Sequence, residues 1–428
     1  MKRAITKKQC EIEIDGENKG FYGYPTSEEI YESIEIKKEI YFPRCLIPEI
    51  IIHSKKDNNN IKKIELNIIC LSGSIFTGHN GYQFSDIKIN GIINFSNAKF
   101  YNVRCFFTDC NFEVKYKGNS KISFTRIECY GSYLQFNNVN IIDSQLNFMC
   151  SSLKESTIEF YKTNIQLIIT NKVNKLLLRL YFYGLSLDNR SKIKIESSRI
   201  ETILDLRLYE WLGEVILRDV DIKKCEHIDF WTNSIKGVFD AYGFSKEIID
   251  RIVDSSINGQ NEDASILLML KRSYNQLGYY EDEDNCYVAY RRQKAIDNFN
   301  KNKGYKKIMG FVSFISEKFI FDFIGGYGTK PKSVFRFMIL VILGFAPMYA
   351  FIPDFLKWDS ITKHFCNIPF FNKLLIGLYH SMITFLTIGY GDIAPKSVYG
   401  SLLSGIEGFL GLFLMSYFTI AFSRKVLR

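Results

Sequence analysis

The sequence contains few of the residue groupings that enzymes and metalloproteins use. Its 428 residues include only five histidines, and its ten cysteines form no C-x-x-C pair and no cluster with those histidines. This argues against the common zinc sites and favours buried, apolar cysteines in a reducing compartment. No pair of carboxylates, Ser/His/Asp grouping or phosphate-binding loop stands out. We therefore expect a protein that is not an enzyme and that has no organic cofactor.

Charge of one sign does not dominate the chain, and long hydrophobic runs are confined to its last part. The mean hydropathy is −0.06, and 55 basic and 46 acidic residues are spread along the sequence. No basic patch stands out, so we expect no nucleic-acid partner. The first ten residues are basic and polar, which is not the pattern of a secretory signal. These properties predict a cytoplasmic N-terminal part and a small membrane part.

Residues 1–75 are predicted to form an N-terminal β cap. Residues 10–15 alternate apolar and polar side chains, which is typical of a half-buried strand. A second strand is expected at residues 34–42, where Pro43 would end it.

Residues 76–234 follow a five-residue rhythm. Large apolar residues recur every five positions, often with a smaller residue two places earlier, as in Ala98/Phe100 and Val103/Cys105. A period of five fits neither a helix nor a flat strand, but it fits a square solenoid in which each quintet forms one side. The segment resembles the pentapeptide-repeat family, which implies a β-solenoid. An irregular β-sandwich remains the alternative.

The solenoid segment has a nearly balanced charge. From Asp86 to Asp229 it contains 20 basic and 17 acidic residues. This argues against the DNA mimicry that a strongly acidic member of the pentapeptide-repeat family can perform. We expect a surface that binds an unknown cytoplasmic ligand or protein.

Residues 235–332 are predicted to be a helical connector. Residues 261–277 and 280–299 have helical patterns and read as an αα-hairpin. The pair Arg291-Arg292 suits a solvated helix face better than an acidic ligand site. Residues 306–324 are apolar but carry charges such as Glu317 and Asp322, which favours a helix lying along the membrane surface. Residues 325–329, Gly-Gly-Tyr-Gly-Thr, are predicted to be a turn into the membrane.

Residues 333–428 are predicted to be a membrane domain with two spans. The apolar runs 334–352 and 398–422 are close to the ~20 residues that cross a bilayer, whereas residues 371–385 form a shorter helix between them. Basic residues precede the first span and follow the second. The positive-inside rule then places both chain termini in the cytoplasm.

One stretch between the spans has the composition of an ion-coordinating loop. It reads Thr384-Phe385-Leu386-Thr387-Ile388-Gly389-Tyr390-Gly391-Asp392. A cation that sheds its water needs rings of oxygen atoms, which inward-turned backbone carbonyls can supply. Gly389 and Gly391 permit the backbone angles that this requires. An ordinary Gly-Tyr-Gly turn is the alternative, but it explains neither the threonines nor the flanking spans.

This stretch resembles the selectivity filter of two-transmembrane potassium channels. The resemblance implies a homotetramer embedded in membrane lipids, in which potassium is the permeant ion and binds at Thr387, Ile388, Gly389 and Tyr390, with Gly391 completing the filter. It also implies support of the filter by Thr384 and Asp392. In this chain Tyr379 and His380 stand where members of the family often have tryptophans.

Further positions in the second span follow from the same resemblance. It implies a gating hinge at Gly411 and a cavity lining of Leu412, Met415 and Thr419. Close helix packing at Gly405 and Gly408 is an alternative use of glycine in this span. Glu407 is expected to support the filter through His380 or a pore-helix hydroxyl, in either a structural or a gating role.

These expectations combine into one fold class and one function. The fold is multi-domain, with a cytoplasmic β-solenoid, an α-helical connector and an all-α pore of two spans and a re-entrant loop. The expected function is a tetrameric potassium-selective channel in the cell membrane, regulated by the solenoid. The alternative is a membrane-tethered interaction scaffold whose pore conducts poorly.

Overall fold

The structure is a computed structural model with two compact units. These are Met1–Cys286 and Tyr287–Arg428. The described residues are 9–14, 17–53, 56–57, 60–61, 63–78, 81–113, 121–166, 179–225, 228–232, 236–241, 245–257, 265–301, 306–351, 356–358, 369–395 and 397–427.

The first unit is built around a four-sided parallel β-solenoid, so the solenoid expectation is confirmed. Short strands on each side pair in parallel with strands of the preceding and following turns. The first side contains Ile51–Ile52, Tyr82–Ser85, Arg104–Thr108, Tyr133–Asn137, Thr157–Tyr161, Lys192–Glu196, Glu214–Arg218 and Val238–Asp240. The second contains Leu46–Ile47, Ile75–Thr77, Lys99–Tyr101, Glu128–Tyr130, Ser152–Lys154, Ser186–Leu187 and Glu210–Trp211.

The third and fourth sides form one sheet because two long strands run round the corner between them. These strands are Ile64–Cys70 and Ile87–Asn94. The third side continues with Asn111–Glu113, Asn140–Ile142, Asn164–Gln166 and Arg199–Ile200. The fourth contains Glu39–Tyr41, Lys121–Ser123, Gln145–Asn147, Arg179–Tyr181, Ile203–Leu208 and Ile228–Thr232.

Small buried serines hydrogen-bond the backbone of neighbouring turns. The Val103 N–H donates to Ser132 Oγ at 3.3 Å, the Ser132 N–H to Ser156 Oγ at 3.0 Å, and the Ser156 N–H to Ser191 Oγ at 3.0 Å. Each serine is buried, and its hydroxyl satisfies a backbone donor of a neighbouring turn. These partners are 29, 24 and 35 positions apart, so the turns are longer than four quintets.

Two ladders of phenylalanine rings fill the interior. Rings of successive turns stack with centroids 4.8 to 5.4 Å apart. The ladders are Phe84, Phe107, Phe136 and Phe160, and Phe95, Phe124, Phe148 and Phe182. Rings of one ladder meet rings of the other edge to face, as at Phe124 and Phe136, 5.7 Å apart. The large member of each sequence pair therefore forms the core.

The start of the chain differs from the expected β cap. Gln9–Ile14 pairs antiparallel with Glu17–Gly23, as the alternation at residues 10–15 suggested. The strand expected at residues 34–42 is wrong in its first half. Helix α1, Ser27–Glu32, starts at a capping box of Thr26 and Glu29 and continues as a π-helical turn at Ser33–Lys37. The parallel pairing also begins before residue 76, at Glu39–Tyr41, and ends after residue 234, at Val238–Asp240.

Three helices follow the solenoid. They are α2 (Ser245–Ile257), α3 (Ser265–Leu277) and α4 (Tyr280–Lys301). α2 packs against the strand Ile228–Thr232 and α3 against Val238–Asp240, so both cover the end of the solenoid. The Phe239 N–H donates to Ser273 Oγ there. α2 had no counterpart in the sequence analysis, and residues 261–264 of the expected first hairpin helix lie outside the described residues.

Among its described residues, the second unit contains α4 from Tyr287 onward and four further helices. They are α5 (Lys306–Ser316), which runs on as a π-helical segment Glu317–Phe323, α6 (Pro331–Phe351), α7 (Phe370–Phe385) and α8 (Val398–Val426). α6 and α8 have 21 and 29 residues and are apolar enough to cross a membrane. The core of this unit contains Ile324, Val334, Met338, Phe385, Leu414 and Tyr417.

Candidate functional site

A short helix and an irregular loop separate the two long helices. α7 has 16 residues, about 24 Å of helix, and is too short to cross a hydrocarbon layer of about 30 Å. The chain is then irregular up to the short strand Ile393–Pro395, which pairs antiparallel with Leu356–Trp358. Irregular backbone at membrane depth must line a cavity or be covered by protein.

The loop has the backbone angles that its glycines permit. Gly389 and Gly391 have φ of +57° and +82°, and Thr387 has +55°, which is uncommon for a residue with a side chain. The Thr387 N–H donates to the carbonyl of Thr384 at 3.0 Å, and the Ile388 N–H to that of Ile383 at 2.8 Å. These bonds attach the beginning of the loop to the last turn of α7.

The loop is exposed in the single chain. Tyr390 is 70% and Ile388 46% accessible, and Thr387, Gly389 and Gly391 are exposed as well. These side chains and the irregular backbone that carries them are exposed together. At membrane depth, backbone groups without hydrogen-bond partners are not stable when they face lipid. Within the single chain the loop is therefore not covered in the way that membrane depth requires.

Tyr379 and Asp392 connect the helix to the outer end of the loop. The Tyr379 hydroxyl donates to Asp392 Oδ2 at 2.8 Å. This contact joins two residues 13 positions apart across the loop.

Glu407 is buried among hydroxyl groups from both other membrane helices. Its Oε1 accepts a hydrogen bond from Ser381 Oγ of α7, and its Oε2 accepts one from the Tyr349 hydroxyl of α6 at 2.7 Å. Ser381 Oγ also lies 3.0 Å from the carbonyl oxygen of Ile342. One carboxyl group thus holds α6, α7 and α8 together behind the loop. A pore-helix hydroxyl is one of the two partners expected for Glu407 from the sequence, whereas Tyr349 was not expected.

His380 has other contacts. Its ring meets that of Tyr349 edge to face at 4.7 Å, and its Nε2 lies 3.4 Å from Ser404 Oγ. Its Nδ1 is buried with no hydrogen-bond partner among the described residues. The structure does not bring His380 to Glu407, which was the other partner considered.

Gly411 lies where α8 crosses the end of α7. A Cβ at this position would overlap the carbonyl group of Phe385. At Gly408 it would be 3.7 Å from the Thr384 carbonyl oxygen, and at Gly405 it would meet no described atom within 4 Å. The close approach between α8 and α7 is therefore at Gly411 itself. α8 is helical throughout Val398–Val426.

The other residues expected to line a cavity share one side of α8. Leu412 and Met415 are 61% and 40% accessible, and Thr419 is exposed. The side that packs on the other helices contains the buried residues Gly400, Glu407, Gly411, Leu414, Tyr417 and Ala421. The three expected residues thus face away from the interior of the single chain.

The Gly-Gly-Tyr-Gly-Thr segment before α6 is a turn, and it contacts the lower part of α8. The Tyr417 hydroxyl accepts from the Gly328 N–H at 2.9 Å and donates to the carbonyl of Phe321 at 3.0 Å. A Cβ at Gly325 would lie 2.6 Å from the Tyr417 ring. This second Gly-Tyr-Gly is therefore a packing element, and the sequence offered no sign of its partner in α8.

The arginine pair of α4 is not simply solvated. Arg291 contacts Glu317 Oε1 at 2.9 Å, and Arg292 makes two hydrogen bonds to Asp322, at 2.9 and 2.7 Å. The bonds to Asp322 raise the pKa of the Arg292 guanidinium above its ordinary value. The Arg291 guanidinium also lies 5.0 Å from the centre of the Tyr327 ring. Glu317 and Asp322, two charges that make residues 306–324 unsuited to cross a membrane, are thus paired with arginines of α4.

These features define a two-span membrane domain with a re-entrant loop. Residues 336–428 match the model of a family described as "Ion channel". Searches of curated proteins and of solved structures found no match to the chain. The C-terminal part of this multi-domain chain is therefore an ion-channel domain of the two-span potassium-channel type, and the part before it is strand-rich and solenoid-like.

Proposed function

We propose that four copies of this chain form a potassium-selective channel in the cell membrane. The observation that supports this most directly is the loop after α7, where Gly389 and Gly391 adopt positive φ between a short helix and two apolar helices. Backbone carbonyls of Thr387, Ile388, Gly389 and Tyr390 would replace the water around the ion. Gly391 completes the loop.

The geometry of one loop supports an assembly of several copies, and the resemblance to two-span potassium channels gives the number four. One loop supplies oxygen atoms from one side only, so a closed ring needs several copies around an axis. The exposure of Tyr390 and Ile388, together with that of Leu412, Met415 and Thr419, supports burial or lining by neighbouring copies.

In this arrangement Thr384, Asp392 and Glu407 support the filter and α8 carries the gate. The Tyr379–Asp392 bond holds its outer end, and the Glu407 bonds hold the helices behind it. Gly411 is the proposed hinge. Basic residues near the start of α6 and the end of α8 favour a cytoplasmic location of both termini.

Regulation by the solenoid is part of the proposal. α4 runs from the first unit into the second, and its Arg291 and Arg292 are paired with the segment that leads into the turn below α8. A ligand or protein that binds the solenoid could thus act on α8 through α4.

The proposal is tested by ion flux from liposomes that contain the full chain. Potassium efflux should exceed sodium efflux, and Gly389→Ala should abolish this preference because alanine disfavours the required φ. Gly278→Ala is the matched control, since Gly278 has φ of +77° and, like Gly389, no described atom near a Cβ. Cation leak without potassium preference, or no flux under any condition, would contradict a selective channel. An intact cellular role of Gly389→Ala would favour the interaction scaffold.

A further inference from the structure

A polar pocket lies on the second side of the solenoid, next to the corner that joins this side to the fourth. Its volume is about 570 Å³. The residues that line it come from three successive turns: Asn97, Lys99, Arg126, Ile127, Glu128, Tyr130, Cys150 and Ser152. A cavity of this size can hold a small organic molecule, which the polar groups of the wall orient.

The pocket forms where long side chains are replaced by short ones along two rows of the solenoid. Residues paired along the strands are, in chain order, Lys99, Glu128, Ser152 and Ser186. The corner residues two positions before them all have positive φ, and they are Asn97, Arg126, Cys150 and Gly184. A Cβ at Gly184 would lie 3.4 Å from Cys150 Sγ. The missing side chain at Gly184 therefore leaves the space beside the Cys150 thiol open.

The charged groups of the pocket leave an excess of positive charge. Glu128 is the one carboxylate among the described residues that line it. Its Oε2 lies 3.1 Å from Lys99 Nζ and accepts a hydrogen bond from the Tyr130 hydroxyl at 3.3 Å. Arg126 is exposed and forms no ion pair with a described residue. The exposed Lys154, whose Nζ lies 5.1 Å from the centre of the Tyr130 ring, forms none either. Two cations thus flank a carboxylate that is already paired.

We propose that this pocket binds a small organic anion through a phosphate or carboxylate group. The group pairs with the Arg126 guanidinium, whose fork of N–H donors fits two oxygen atoms. Asn97 and Ser152 supply amide and hydroxyl groups for the rest of the molecule. A cationic ligand is repelled by Arg126 and Lys154, and an inorganic ion fills little of the cavity. The site gives the regulation proposed for the solenoid its class of ligand, and it rests on the proposed function in that step alone.

Cys150 provides the measurement, because its thiol lines the pocket and is exposed. The purified full chain in detergent is alkylated with iodoacetamide, a neutral reagent, and the peptide that contains Cys150 is quantified by mass spectrometry. Adenosine monophosphate and citrate are the probes for the two groups, with sodium chloride at the same ionic strength as the reference. At least one probe should slow the alkylation of Cys150 saturably and more strongly than inorganic phosphate does. Alkylation of Cys70, which is half-buried and outside the pocket, should not change.

Arg126→Asn should raise the probe concentration for half protection about ten-fold, because a hydrogen bond to a charged group contributes about that factor. Asparagine is chosen because it tolerates the φ of +55° at this position. Arg44→Asn is the matched control. Arg44 is exposed, has φ of +51° and lies in the same row of corner residues, outside the pocket. If Arg126→Asn does not fold, Lys154→Gln should show a loss of about three-fold, the size expected for an exposed cation.

Protection by neither probe, equal protection by sodium chloride or an unchanged Arg126→Asn would overturn the proposal. An equal loss in Arg44→Asn would also overturn it, since it would show a general effect of surface charge. Inorganic phosphate that protects as strongly as the organic probes would show an adventitious ion only, with the same consequence. Because no ion flux is measured, a negative result leaves the channel proposal standing, and a chain that conducts no ion still binds the anion.

Discussion

Gly411→Ala should disturb the filter through packing, in addition to stiffening the proposed hinge in α8. The new methyl group would overlap the carbonyl group of Phe385, which lies two residues before Thr387. Backbone cannot move aside as cheaply as a side chain, so we expect an overpacking cost of about 1–3 kcal/mol. The displaced end of α7 should also lower the potassium preference over sodium.

Gly405→Ala separates this cost from the general effect of alanine in a helix. Alanine gains about 1 kcal/mol over glycine in a helix interior, and this gain is common to both variants. A Cβ at Gly405 meets no described atom within 4 Å, so the difference between the two unfolding free energies reports the overlap at Gly411. Both quantities are measured on the full chain, as thermal unfolding in detergent and as relative potassium and sodium flux. Equal stability and selectivity of the two variants, with altered opening only in Gly411→Ala, would refute the packing argument and favour the hinge.

Three further predictions concern single contacts. Tyr349→Phe removes one hydrogen bond to the Glu407 carboxyl group and should lower the unfolding free energy by about 1.5–3 kcal/mol, measured by thermal unfolding. Tyr379→Phe releases Asp392 and should make potassium current decline faster during a sustained opening, measured in planar bilayers. Phe136→Ala removes a ring stacked in the solenoid core and should cost about 3–5 kcal/mol, measured by denaturant unfolding followed by circular dichroism.

Matched controls exist for these changes. Tyr399→Phe alters a tyrosine that is 76% accessible, and Tyr209→Ala alters one that is 55% accessible. Neither should reproduce the losses. If Tyr349→Phe melts like Tyr399→Phe, the Glu407 bond contributes no stability. If Tyr379→Phe leaves the current unchanged, Asp392 does not hold the loop. A Phe136→Ala protein as stable as Tyr209→Ala would contradict the ladder as the core.

The parts of the structure that the sequence predicts well are those with a local physical signal. The filter loop needs glycine at two positions of positive φ, and the solenoid needs a large and a small residue at a fixed spacing. Both requirements are met within a few residues, by Gly389 and Gly391 in the loop and by pairs such as Ala98 and Phe100 in the solenoid. The length of each turn was not predictable, because extra residues between two strands leave the pairs themselves unchanged.

The contacts that the sequence could not predict are long-range. Tyr349 and Glu407 are 58 positions apart, and Gly328 and Tyr417 are 89 apart. Nothing near either residue specifies its partner, since a tyrosine in a membrane helix fits the interior, the lipid boundary or an aqueous cavity. The strand expected at residues 34–42 failed for a different reason. A capping box of Thr26 and Glu29, itself a local signal, starts a helix at Ser27 that continues into this segment as a π-helical turn.

α8 contacts other elements at two positions along its axis. At Gly411 its backbone packs against the carbonyl of Phe385, and at Tyr417 its side chain bonds the turn through Gly328. Both residues lie on its buried side, less than two helical turns apart. A displacement of the turn must therefore break the hydrogen bond to Gly328 or tilt the lower part of α8 about the contact at Gly411. The pivot of such a tilt is the contact with Phe385, which lies two residues before Thr387. The same side of one helix thus connects the turn beneath the membrane domain to the residues proposed to hold the ion.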